Sequence, residues 1–242
     1  MAYKIAIEKV IAHKWPGLCL IYCDIGDEDV KYIADVLSNN TEITKLELYD
    51  NHIRVDGAKY LANMLTKNTT ITSLELWGNN IGSEGAKYLA DVLQINTTLT
   101  FLDLGSNSIG NQGAKYLADA LSKNTTLTSL DIRYNNINDV GAKYLADALT
   151  NNTTLTDLDL SSNNIGEVGA KHLIHMLAKN TTITCLTLTG INIYKVEYII
   201  NILMTRNKKY GMVKQSLEVF VTSSLLPTEL YSLLDKWVLL GC

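Results

Sequence analysis

One feature constrains this chain above all others, a pattern that returns every 28 residues. The motif LxLxx(N/C)xI opens at Leu18, Leu46, Leu74, Leu102, Leu130 and Leu158, and comes back in degenerate form at Leu186 with Ile191 in the Asn place. Gly-Ala-Lys-(Tyr/His)-Leu follows at Gly57, Gly85, Gly113, Gly141 and Gly169, then an Ala- and Leu-rich stretch and an Asn-Thr-Thr tripeptide beginning at Asn68, Asn96, Asn124, Asn152 and Asn180. The first copy has Asp29, Val30 and Lys31 in the Gly-Ala-Lys slot. A unit this short cannot enclose its own apolar face, so neighbouring copies must stack and share one continuous core.

Spacing inside the unit gives its local structure. In Leu102-Asp103-Leu104 the alternation sends two leucines one way and the acid the other, as a half-buried strand requires. In GAKYLADAL, Ala114, Leu117, Ala118 and Leu121 recur on one helical face, with Lys115 and Asp119 on the solvated side. Asn is, after Gly, the residue best suited to a left-handed cap, so Asn-Thr-Thr is expected to end the helix and start the return to the next strand. Parallel strands sit about 4.8 Å apart and packed helices about 8 to 10 Å, so a layer of each must curve with the strands inside. A second column, Asn51, Asn79, Asn107, Asn135 and Asn163, is expected to point inward at the strand-to-turn corner and satisfy backbone groups there.

LxxLxLxxNxI joined to GAKYLADAL and NTTLT resembles the ribonuclease-inhibitor-like class of leucine-rich repeat, over residues 17 to 193. The resemblance implies an α/β fold: a curved solenoid, or horseshoe, of about seven repeats, with a parallel β-sheet on the concave face and α-helices on the convex face. That class includes the repeat domains of NOD-like receptors, the activating proteins of the Ran GTPase and many intracellular bacterial proteins. The near-identical repeats are most similar to the bacterial sets, which implies a non-enzymatic protein-protein interaction module, such as an effector or inhibitor.

Residues 1–16 are expected to form an N-terminal cap, with Ile5, Ile7, Val10 and Ile11 as apolar contacts and Trp15 as a plug in the place held by Ile43, Ile71, Leu99 and their equivalents. Residues 194–242 are expected to form a helical C-terminal cap. Its first helix is marked by Val196, Ile199, Ile200 and Leu203, and Leu226-Pro227-Thr228-Glu229-Leu230 opens a last one through Trp237. LPTELYSLLDKWVLL also resembles the first helix of an F-box, which implies a ubiquitin-ligase adaptor as an alternative.

The balance of 21 Lys+Arg against 25 Asp+Glu argues against a nucleic-acid backbone as partner, which needs a basic stripe. No apolar run reaches the roughly 20 residues of a membrane span. The four cysteines, Cys19, Cys23, Cys185 and Cys242, show no paired spacing, and the Asn-Thr-Thr sequons recur at one structural position. Both points suit a reducing interior such as the cytoplasm, and the resemblance to effectors implies delivery into a host-cell cytosol.

The outward strand positions carry what the framework does not dictate. Glu47, Glu75, Asp103, Asp131 and Asp159 form an acidic column, expected to favour a partner with a basic patch. Tyr49, Trp77 and Phe101 vary where the framework repeats and are expected to anchor that partner, with Arg133 and Tyr134 beside them. No Ser-His-Asp set, phosphate loop or Cys-x-x-Cys occurs, and His172 with His175 lacks further ligands, so neither enzyme chemistry, metal nor cofactor is expected. Resemblance to the Ran activators gives an alternative, a GTPase-activating protein using Arg133. The chain is expected to act as a monomer.

Overall fold

A computed structural model describes residues 2–189 and 194–210. Strands and helices alternate throughout. The elements are α1 (Ala2–Ala12), β1 (Gly17–Cys19), α2 (Asp27–Leu37), β2 (Lys45–Glu47), α3 (Val55–Leu65), β3 (Ser73–Glu75), α4 (Gly82–Leu93), β4 (Phe101–Asp103), α5 (Gly110–Leu121), β5 (Ser129–Asp131), α6 (Asp139–Leu149), β6 (Asp157–Asp159), α7 (Glu167–Lys179), β7 (Cys185–Thr187) and α8 (Tyr194–Tyr210). The seven strands form one parallel sheet in chain order, with neighbours offset by one repeat, so that Leu46 pairs with Leu18 and Leu74. The expected α/β solenoid is the observed one.

The core is a single column of apolar layers. Each repeat adds one strand leucine and one just beyond the strand, such as Leu102 and Leu104, and the inner helix face, such as Ala114, Leu117, Ala118 and Leu121. The repeated glycine is there for proximity. A Cβ on Gly113 would lie 2.7 Å from the Cβ of Ile109 and 3.3 Å from that of Ala86 on the preceding helix. The close helix spacing therefore requires the missing methyl group.

Two asparagine ladders tie the layers together. In the inner ladder, Asn51 Oδ1 accepts the N–H groups of Cys23 and Ile25 while its amide donates to Leu20 and Leu48 carbonyls. Asn79, Asn107, Asn135 and Asn163 repeat the pattern one rung at a time. The outer ladder corrects the expected left-handed caps. None of the Asn-Thr-Thr asparagines has a positive φ. Asn68 is instead buried, donating to the Leu37 carbonyl at the end of the preceding helix (2.8 Å) and accepting from the N–H groups of Thr70 and Ile71. A helix end leaves carbonyls without intrahelical partners, and here the next repeat supplies the donor.

On the convex side four successive lysines that precede a helix tyrosine each lie over the tyrosine of the following repeat. Lys31, Lys59, Lys87 and Lys115 sit 5.8, 5.6, 5.7 and 5.7 Å from the ring centroids of Tyr60, Tyr88, Tyr116 and Tyr144. The series stops where His172 replaces Tyr, and Lys143 pairs with Asp147 in its own helix.

At the N-terminal end Ile7 and Val10 of α1 are buried, Ile11 is half-buried and Ile5 is exposed. Trp15 is no plug, because it is 54% exposed and stacks on His13. Lys14 takes a left-handed φ of 54° and Pro16 follows, and together they turn the ring away from the core. The equivalent C-terminal task falls to α8. Arg206 donates to the carbonyls of Leu177, Ala178 and Asn180, and Asn207 to those of Asn180 and Ile183, where a further repeat would have placed its own Asn. Arg206→Ala should therefore cost about 2 to 3 kcal/mol and selectively weaken amide-exchange protection in α7 and β7. Uniform loss of protection along the solenoid would contradict this role. The helix expected from LPTEL and the rest of the tail, residues 211–242, lie outside the described residues.

Candidate binding surface

The strand alternation that buries Leu46, Leu74 and Leu102 places the neighbouring residues on the concave face in columns. All ten residues singled out from sequence lie on this face or at its rim, but they are not equally available. The acidic column is not an open stripe. Glu75 is 6% exposed and Asp103 only 3%. Lys45, on the adjacent rung, places its ammonium 2.9 Å from both Glu47 and Glu75, which holds that ammonium above its ordinary pKa. The Tyr49 hydroxyl donates to Glu75, and burial followed by that carboxylate pushes the phenol far up. Ser73 donates to the other Glu75 oxygen (3.2 Å). Tyr49 is thus half-buried and committed to Glu75 rather than standing free.

The acids further along accept from the strand end itself. Asp103 takes the Gly105 N–H (2.8 Å), Asp131 the Arg133 N–H (3.1 Å) and Asp159 the Ser161 N–H (2.8 Å). Withdrawal from water pushes the carboxyls of Asp103 and Asp131 up, Asp131 to about 6, with neighbouring carboxylates adding to the effect. An acid raised in the folded state binds more protons there than in the unfolded chain, so stability falls as pH rises from about 4 to about 6. Asp131→Asn keeps the acceptor for Arg133 but loses this dependence. Its urea-unfolding free energy should gain on the wild type between pH 4.5 and pH 7, and a pH-independent gap would exclude titration of Asp131 in that window.

A second cluster bridges three rungs. Gly105 has no side chain, and the Trp77 ring lies in the space a Cβ there would fill. Trp77 thereby reaches two repeats along, where the Arg133 guanidinium lies 4.7 Å from its ring centroid and Tyr134 meets it edge-on at 5.5 Å. The Arg133 Nε is 2.8 Å from Asp131 Oδ2, close in charge but without a well-aligned hydrogen bond. Phe101 is half-buried on β4. Tyr134 is 55% exposed and has a left-handed φ of 55°, a conformation unfavourable for a bulky residue. In the same column Asp50, Gly78, Ser106 and Ser162 take it, as does Tyr22, which is also exposed. Lys45, Gly105 and Ser161 shape this surface and were not singled out from sequence. A base flanking the acidic column marked Lys45, whereas Gly105 offered only its small size.

Five stretches, residues 39–62, 67–90, 96–118, 123–146 and 151–173, match the family model described as a leucine-rich repeat. The chain carries leucine-rich repeats. Among solved structures with this fold, the leucine-rich-repeat chain is similar to a fragment described as leiomodin-1 actin-binding site 2. The TM-score is 0.55 at 24% identity, covering 63% of this chain and 88% of the fragment. It is also similar to a tropomodulin C-terminal domain from Caenorhabditis elegans, with TM-score 0.54 at 11% identity, covering 62% of this chain and 93% of that one. At these identities the likeness is one of fold. No curated protein matches. Among the described residues, no helix of the leucine-rich-repeat chain is long and apolar enough to cross a membrane, and no group of three or more His, Cys, Asp or Glu could hold a metal ion.

Proposed function

We propose that the chain is a non-enzymatic module that binds a protein partner on its concave face, with Trp77, Arg133 and Tyr134 at the centre of contact. The observation that carries this reading is Tyr134, an exposed bulky ring held in a left-handed turn and braced against Trp77. The left-handed turn belongs to the repeat and recurs at Tyr22, Asp50, Gly78, Ser106 and Ser162; what sets position 134 apart is the large exposed ring held there against Trp77. Aromatic and arginine side chains are also the usual anchors of interfaces. Phe101 and Tyr49 flank the cluster, and Glu47 and Asp159 remain half-exposed around it.

The reading extends to an effector or inhibitor that occupies its partner's surface, in the manner of the ribonuclease-inhibitor-like and bacterial sets it resembles. It also includes a monomer working in a reducing compartment. Cys19, Cys23 and Cys185 are free, and the sequon asparagines are buried with their amides in the outer ladder. A glycan on any of them would displace that bond.

Capture from lysates with the wild type and with Trp77→Ala/Tyr134→Ala, both checked for equal melting temperature, tests the proposal. Partner recovery should fall at least about tenfold in the variant. Unchanged recovery would remove this face. Purified actin is one defined bait, because the leiomodin-1 fragment carries an actin-binding description. A GTPase-activating role would require the Arg133 guanidinium to leave both Trp77 and Asp131.

A further inference from the structure

The concave carboxylates divide into two groups by what neutralises them. Glu47 and Glu75 share Lys45, and Asp131 has Arg133. Asp157 and Asp159 lie two residues apart on β6, on the same face of the sheet, and among the described residues no cation pairs with either. Their polar contacts leave oxygens over. Thr156 shares its one hydroxyl proton between Asp157 Oδ2 (2.7 Å) and the Thr128 carbonyl (3.0 Å), and Asp159 Oδ1 accepts the Ser161 N–H (2.8 Å). Among the described residues the second oxygen of each carboxylate accepts no hydrogen bond.

An independent observation falls beside them. Ser161, the next outward residue on this rung, is 5% exposed, and among the described residues its Oγ has no hydrogen-bond partner. A buried hydroxyl is rarely left unpaired, and each exception calls for a reason. Here the alternation that buries Leu160 in the core turns Ser161 toward the concave side, next to Asp159. Tyr134, on the neighbouring rung, supplies an aromatic surface at the same end of the sheet.

Resting on the concave-face reading above, we propose that Asp157, Asp159 and Ser161 form the seat for one lysine or arginine side chain of the partner. The two free carboxylate oxygens and the Ser161 hydroxyl accept from its ammonium or guanidinium, and its aliphatic stem lies toward Tyr134. The basic character of the partner is thereby narrowed from a whole patch to one cationic side chain docking on the sixth repeat. Lys45 and Arg133 already answer most of the other acids from within the chain.

The test uses the full chain and two small probes, N-acetyl-arginine amide and its neutral isostere N-acetyl-citrulline amide. Binding is followed through the backbone amide resonances of Asp159 and Ser161. The arginine probe should give saturable shifts that weaken with added salt, and the citrulline probe should give none. Asp157→Asn/Asp159→Asn should weaken arginine binding by about tenfold. Ser161→Ala should weaken it severalfold without lowering the melting temperature, because the hydroxyl it removes has no partner among the described residues. Equal shifts with citrulline, unaltered binding in the Asn variant, or no saturable shift with arginine would each overturn the seat. The two proposals fail separately. Partner capture that is lost in Trp77→Ala/Tyr134→Ala but untouched in Asp157→Asn/Asp159→Asn removes the seat alone. Intact probe binding with capture indifferent to Trp77 and Tyr134 removes the contact centre alone.

Discussion

Asn135→Ala should destabilise the protein by about 4 kcal/mol, a large share of the roughly 5 to 15 kcal/mol by which domains are stable. Asn135 is fully buried and makes four bonds through one side chain. Its Oδ1 accepts from Asn107 N–H (3.0 Å) and Ile109 N–H (3.1 Å), and its Nδ2 donates to the carbonyls of Leu104 (2.8 Å) and Arg133 (3.1 Å). Alanine strands the two N–H donors and the Leu104 carbonyl in the core, while the Arg133 carbonyl keeps the Ser106 N–H (2.9 Å), and each stranded group costs about 1 to 3 kcal/mol before the structure relaxes. Asn135→Asp fares little better, since it keeps the acceptor, loses both donated bonds and buries a charge. Stability in a solenoid passes through nearest-neighbour interfaces, so the damage should also split the transition between the repeats before and after Asn107. Urea unfolding checks this against Asn151→Ala, an exposed asparagine whose loss should stay within about 0.5 kcal/mol. A loss below about 1 kcal/mol at Asn135 would show that water replaces the side chain.

Gly105→Val should disable the proposed contact centre without touching any residue in it. A Cβ at this position overlaps the Trp77 ring, so the indole must leave the space above the glycine and with it the Arg133 guanidinium and the Tyr134 edge. Overpacking of this kind costs about 1 to 3 kcal/mol. The expected functional loss equals that of Trp77→Ala, since a displaced ring can no longer brace Tyr134. Trp77 emission, isolated by difference from a Trp77→Phe chain, should shift to the red as the ring moves into solvent. Full partner capture together with a shifted emission would show that the bridge is a packing feature and not part of the interface.

The sequence carried the architecture in unusual detail. A fixed 28-residue period specifies which residues stack on which, and alternation within each LxL specifies which of them face the cavity, so the columns from Gly17 to Cys185 were legible before any coordinates. The inner asparagines were legible too, because a buried amide at a strand-to-turn corner has only backbone to bond. The outer asparagines were misread. A local rule, that Asn suits a left-handed cap, competed with a long-range one, that the neighbouring helix ends in an unpaired carbonyl, and the long-range bond is the one that forms.

What only the tertiary structure decided lies wherever a side chain reaches beyond its own rung. The acidic column looked uniform along the chain, yet Lys45 and Arg133 neutralise parts of it, burial closes Glu75 and Asp103, and Asp157 with Asp159 meets no cation among the described residues. Trp77 meets Arg133 and Tyr134 only because the intervening residue is a glycine. Periodicity fixes Cα positions one repeat at a time. The direction of a long side chain depends on the empty volume beside it, and that volume is set by several repeats at once.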